Sequence, residues 1–277
     1  MNQQIEITLK WANALSASEI KEMNNIIHSY DKGLPENHLK DTHIKKHNPL
    51  FVLAKQKERV ISFQCHSIYY AASPFFEKPV PIIFGGAAYH AKDHLIKGLA
   101  NKMALLYLRH CFGRFWFLKK LTVIADTVNP KSLRAMHHIF NGAYPDMRTP
   151  VPHDVITFAE TIMQQYYGEH VAVDEHLVMR GAHNYQGLTD ITDYWDKMYK
   201  TKQGQYDTFY LDQEVIKKIG EHYFIGGESI VAISFYSPKK LLRSILYKLF
   251  RSIAKKVNGT PWWQREKVLY KEKALLR

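Results

Sequence analysis

The residues of this chain with types and spacing suited to chemistry fall between positions 90 and 144. Lys97-Gly98-Leu99-Ala100 sets a glycine and a small residue just ahead of Met103, Leu106, Tyr107 and His110, which recur at helical spacing. A helix N-terminus presents unpaired N–H groups and a positive dipole end, and that suits a pyrophosphate. On either side stand groups that exchange protons. His90 precedes the turn, while His137 and Tyr144 follow it.

Two strands and two helices must hold these groups. Pro81 to Ala88 is a short apolar run with two glycines, long enough for one buried strand. Leu121 to Thr127 reads as a second strand. Asn129-Pro130 then starts a helix, with asparagine at the cap and proline where no amide donor is needed. Leu133, Met136, His137 and Phe140 share one face of that helix. Upstream, Ser18 to Ile27 reads as a helix, and Leu50 to Ala54 and Val60 to Ala71 read as strands around a turn at Lys55-Gln56-Lys57-Glu58.

This order resembles the core of the GNAT superfamily of N-acyltransferases. The family's Gln/Arg-x-x-Gly-x-Gly/Ala turn corresponds here to Leu95-Ile96-Lys97-Gly98-Leu99-Ala100, matching at Gly98 and Ala100 and departing at Leu95. Its Asn-x-x-Ala-x-x-x-Tyr segment corresponds to Asn129, Ser132 and Met136, so a methionine stands where the family's proton-donating tyrosine is expected.

The resemblance implies an α/β (α+β) fold, with a central mixed, mostly antiparallel sheet flanked by helices. It also implies transfer of an acyl group from acyl-CoA, or from the acyl-phosphopantetheine of an acyl carrier protein, to an amine. Lys97, Gly98, Leu99, Ala100 and Asn129 would then hold the cofactor, with Lys92 adding charge. His137 or Tyr144 would replace the missing tyrosine. An ammonium ion cannot attack a thioester until it loses a proton. His90 is the base this implies, with His66 and Asp126 as alternatives and Tyr89 and Asp93 nearby. The family's N-acyl amino acid and acyl-homoserine lactone synthases suggest a long-chain donor. The two motif departures support a rival reading, a non-catalytic GNAT-like module that binds a membrane or a protein.

Composition narrows the field. The 277 residues are 46% hydrophobic, enough for a sizeable core. The two cysteines, Cys65 and Cys111, argue against a disulfide framework and for a reducing, cytoplasmic compartment. The N-terminal residues lack the continuous apolar run of a secretory signal, and no stretch is long enough to span a bilayer. There is no Walker loop, no Gly-x-Ser-x-Gly elbow and no His-Glu-x-x-His. His43 with His47 and His90 with His94 share helical spacing, but no third ligand completes either pair, so no metal is expected. The net charge of +12 calls for an anionic partner such as CoA, an acidic carrier protein or an anionic membrane. Nucleic acid is not expected, because no nucleic-acid signature is present.

The chain organises as residues 1–236, a GNAT-like domain with an insertion or extension after about residue 145, and a tail over 237–277. Asp154 is expected to cap a helix bearing Val155, Phe158, Ala159, Ile162, Met163 and Tyr166 and ending at Gly168. His176 to Met179 and Glu228 to Tyr236 read as strands that complete the sheet. After Ser237-Pro238, Leu241, Leu242, Ile245, Leu246, Leu249, Phe250 and Ile253 form an apolar stripe. Lys239, Lys240, Arg243, Lys248, Arg251, Lys255 and Lys256 stand around it, and Trp262-Trp263 follow. A basic amphipathic helix with tryptophans reads either as a peripheral anchor on the inner membrane face or as a terminal helix packed on its own domain with a solvated basic face.

Overall fold

The computed structural model of the protein describes residues 5–45, 48–94, 96–140, 142–181, 183, 187–239 and 242. The chain divides into two compact units, Met1–Ser237 and Pro238–Arg277. The architecture that follows is that of the first. Leu95, His47 and the amphipathic C-terminal helix, except its opening residues, lie outside the described residues.

Four strands open the sheet in antiparallel order: β1 (Ile5–Trp11), β2 (Leu50–Gln56), β3 (Arg59–Ser73) and β4 (Phe76–His90). β4 then pairs in parallel with β5 (Leu121–Thr127). Parallel neighbours need a crossover, and α2 (Leu99–Phe112) supplies it, α1 (Ala17–Tyr30) having joined β1 to β2. Beyond β5 the sheet continues antiparallel through β12 (Ser229–Tyr236), with β8 (Val178–Arg180) and β7 (Ala172–Val173) at its far side and β6 (Ala143–Tyr144) also on β12. Every residue of β12 is buried, which explains why Ile230 to Phe235 shows no strict polar alternation. The result is the mixed, mostly antiparallel sheet flanked by helices that the sequence leads one to expect.

Strand alternation assigns the helices to faces. Phe63 and Cys65 of β3 pack in the core beneath α1, whereas Ser62, Gln64 and His66 meet Met103, Ala100 and Tyr107 of α2. Likewise Val231 and Ile233 of β12 pack with α4 (His153–Tyr167), while Ile230 and Ala232 pack with Leu133 of α3 (Pro130–Phe140). So α1 and α4 cover one face, and α2 and α3 the other. A small sheet of β9 (Thr189–Asp190), β11 (His222–Ile225) and β10 (Ile216–Ile219), with α5 (Gln205–Asp212), extends the core around Trp195, Tyr199 and Tyr210.

Some expectations need adjusting. β3 and β4 form a longer hairpin than expected, with Pro81 inside β4 opposite Tyr70. His110 is exposed, so the packed face of α2 runs through Leu99, Met103 and Tyr107. Asp154 lies in the first turn of α4, where its carboxylate accepts from the Val155 amide, and Pro152 holds the cap position.

Candidate active site

The sheet opens at one point. β4 and β5 pair only from Ile82 with Thr122 to Gly85 with Ala125, although β4 continues to His90 and β5 to Thr127. The β3–β4 register shifts at the same level: Cys65 faces Ala87, His66 faces Gly85, and Gly86 is the extra residue of a bulge. A side chain does not fit at Gly86. A Cβ there would stand 2.8 Å from the Tyr166 hydroxyl, 2.9 Å from His43 Nδ1 and 3.2 Å from Cys65 Sγ. Beyond the last pair, β4 and β5 form no further ladder with each other among the described residues.

On the α1 and α4 side, several parts of the chain bring acid–base groups to this opening. Asp126, one residue past the last parallel pair, accepts a 2.9 Å hydrogen bond from His183 Nε2, with side chains 6% and 11% exposed. Donation from Nε2 fixes the tautomer whose lone pair is on Nδ1. The His38 ring lies 5.9 Å from that of His183 and 5.4 Å from that of His43. Burial, reinforced by the charge of His183, lowers the His38 pKa to about 4, so this imidazole is neutral at pH 7. His43 Nδ1 lies 2.9 Å from the Tyr166 hydroxyl, and burial pushes that phenol's pKa up. Asp126 Oδ1 is buried and makes no hydrogen bond among the described residues. The Tyr167 hydroxyl stands beside Asp126, and burial foremost, with that carboxylate adding to it, raises its pKa.

On the opposite side, α2 begins at the same end of β4. Gly98 is its N-cap residue with φ +81°, and an added Cβ would meet nothing within 4 Å, so backbone conformation rather than space calls for glycine. Leu99 is buried, Ala100 is half-buried with its carbonyl taken by Gln64, and Lys97 is exposed. His66 faces this side against Tyr107, and burial lowers its pKa to about 4. Asn129 caps α3 through the Lys131 amide at 2.9 Å and donates to the Met198 carbonyl at 3.1 Å. Its side chain is therefore committed to the fold.

The other sequence candidates do not converge on the opening. His90 faces the α2 side opposite Ser62, several residues beyond the bulge, and burial lowers its pKa. His137 makes a 2.9 Å contact with the Pro145 carbonyl through Nε2 and a 3.4 Å contact with the Tyr206 hydroxyl through Nδ1, which makes it a packing tie. Tyr144 stacks on Phe75 and meets Phe235 edge-on, toward the end of the sheet where β5 begins. Met136 packs beside the core that includes Leu133 and Ile230. Lys92 is spent over the Tyr194 and Tyr30 rings, 4.1 and 4.9 Å from their centres. Asp93 pairs with Arg59 and His94. Among the described residues no group of three His, Cys, Asp or Glu is placed to hold a metal.

No protein-family model matches the sequence, and no curated protein matches it. Among solved structures it is similar to an aminoglycoside N-acetyltransferase, AAC(6')-Iy in complex with CoA, at 13% identity and TM-score 0.37 over 50% of this chain and 88% of that one. An acyl-CoA N-acyltransferase from Pseudomonas aeruginosa matches at 10% identity and TM-score 0.35 over 50% and 88%. A ribosomal-protein-alanine N-acetyltransferase from Brucella melitensis biovar Abortus 2308 matches at 16% and 0.37 over 49% and 91%. Likeness at this level covers half of the chain and leaves its chemistry to its own residues. A mixed, mostly antiparallel sheet flanked by helices is the arrangement the sequence resemblance implies.

Of the groups around the opening of this sheet, the sequence pointed to Asp126 and His66 as alternatives and did not show that His183, His38, His43, Tyr166 and Tyr167 gather there. His38 and His43 lie between α1 and β2, the tyrosines close α4, and His183 follows β8. No local spacing relates them. The signal available was weak: a histidine-rich connection after α1 and a Tyr-Tyr pair ending an amphipathic helix. Tyr210 was also missed. It brings a phenol to the end of β5, 3.2 Å from the Thr127 carbonyl.

Proposed function

We propose that the chain transfers an acyl group from a pantetheine thioester, carried by CoA or by an acyl carrier protein, to an amine. The observation that carries this reading is Asp126 Oδ1, a buried carboxylate oxygen with no hydrogen bond among the described residues, set at the parting of β4 and β5 beside His183. A buried acceptor of this kind calls for a donor or a cation, and an incoming ammonium group is both.

The thioester lies in the opening, its amides against the strand edges and its phosphates at the Lys97 to Ala100 turn. Asp126 receives the ammonium group and orients His183, whose Nδ1 takes the proton. The freed amine attacks the thioester carbonyl, and backbone N–H groups at the Gly86 bulge stabilise the oxyanion. The C–S bond then breaks to release the thiolate. Met136 cannot protonate it, and Tyr210 is the phenol we assign to that step. His90, His137 and Tyr144 have no part in this scheme.

The test is thiol release from acetyl-CoA, a long-chain acyl-CoA and an acyl carrier protein, each offered a panel of primary amines. Amine-dependent release is expected with at least one donor, and His183→Gln should lower kcat by about 10²- to 10⁴-fold while CoA still binds. No amine-dependent release from any donor would overturn the reading. Met136 at the tyrosine position favours a second one, a non-catalytic GNAT-like module, and CoA binding without turnover would select it.

A further inference from the structure

The end of the sheet away from the opening carries a feature that acyl transfer does not use. After α2, the chain reads Gly113-Arg114-Phe115-Trp116-Phe117-Leu118-Lys119-Lys120 before β5 begins. Phe115 is 61% exposed and Leu118 60%, with Phe117 also exposed and Trp116 half-buried. Four consecutive large apolar residues at the surface are far from the usual scatter of single ones. Phe75, on the adjoining β3–β4 turn, is 46% exposed, and Lys120 reaches over the neighbouring Phe76 ring.

Two properties suit this loop to an anionic lipid surface. Part of its backbone is already satisfied: Trp116 donates to Gly113, Leu118 to Phe115 and Lys119 to Trp116, while the Phe117 carbonyl accepts from the Tyr236 hydroxyl at 2.8 Å. Fewer peptide groups are therefore stranded when the side chains leave water. Its charge is also one-sided. Between Asp93 and Asp126 the sequence has no acidic residue and carries Lys97, Lys102, Arg109, Arg114, Lys119 and Lys120. Glu77, at the start of β4, is the nearby opposing charge in sequence. An exposed aromatic loop flanked by cations suits an anionic bilayer, where apolar side chains and positive charges both find partners.

We propose that residues 113–120 form a membrane-docking loop, in which Phe115, Phe117 and Leu118 enter the interfacial region of an anionic bilayer while Arg114, Lys119 and Lys120 meet lipid phosphates. α2 spans about 21 Å from Gly98 to the loop. Docking this way leaves the β4–β5 opening on the aqueous side. The inference does not depend on the acyl-transfer reading.

Flotation of the full chain with vesicles tests it, using phosphatidylcholine alone and phosphatidylcholine with phosphatidylglycerol. The protein should float with the anionic vesicles, less at high salt, and hardly with the neutral ones. Phe115→Ser with Leu118→Ser should weaken binding to anionic vesicles by about tenfold or more, as should Lys119→Glu with Lys120→Glu. Circular dichroism and melting temperature confirm that each variant is folded. A chain that does not float, or folded loop variants that float like the wild type, would overturn the proposal; the latter result would assign membrane binding to another segment.

Discussion

At the residue scale, burial beside the opening keeps the His38 imidazole neutral. The His38 pKa falls from 6.5 to about 4, so the native state resists protonation that the unfolded chain accepts. The stability from this site is complete above pH 6.5 and is lost as pH falls toward 4, because the unfolded state then binds the extra proton. His38→Gln should therefore melt with a shallower loss between pH 6.5 and 4 than the wild type, measured by thermal denaturation across that range. His66 also titrates near 4, so the slope should diminish rather than vanish. The individual roles at this scale were the least legible in the sequence. His90 and His137 carry the right chemistry, but β4 turns one toward α2 and α3 packs the other against Tyr206. His183 reaches Asp126 across 57 positions, a distance no motif spans.

At the element scale, local rules hold well. Ser16 and Glu19 close a capping box on α1, and Glu19 also takes hydrogen bonds from Lys10 and Lys55 across β1 and β2. Burial works against the Glu19 charge, but the bonds from Lys10, Lys55 and the Ser16 amide outweigh it and hold the pKa down to about 2. Stability from Glu19 is thus present above pH 4.5 and lost as pH falls toward 2. Glu19→Gln should cost about 2 kcal/mol at pH 7, with the gap closing in acid, as read by chemical denaturation at several pH values. The strand Leu121 to Thr127 and the helix led by Asn129-Pro130 were legible to the residue, because propensity, caps and burial agree there. Asp154 misled because Pro152 already starts α4, leaving the aspartate to serve its first turn.

For the whole molecule, the sheet sets up two ends of different character. At one end β4 and β5 part between acid–base groups on one face and the Gly98 turn on the other; at the other end lies a cationic aromatic loop. The order from β2 to β5 could be read from the chain, since apolar runs and turns follow one another there, whereas β1, a short half-buried strand, could not. The completion of the sheet by β12 was legible as a buried run, but the histidine and tyrosine side chains that surround the opening come from connections whose sequence has no period. The net charge of +12 matches a polyanionic donor.

The central claim is that a pantetheine thioester occupies the β4–β5 opening. Isothermal titration of the full chain with CoA tests it most directly, together with Gly86→Val, which fills the bulge beside Tyr166 and His43, and Gly98→Glu, which strains the turn and opposes phosphate. One saturable site is expected, with affinity lowered about tenfold or more in each variant while circular dichroism stays native. Absence of CoA binding to the wild-type chain, or equal binding by a folded Gly86→Val variant, would contradict the account.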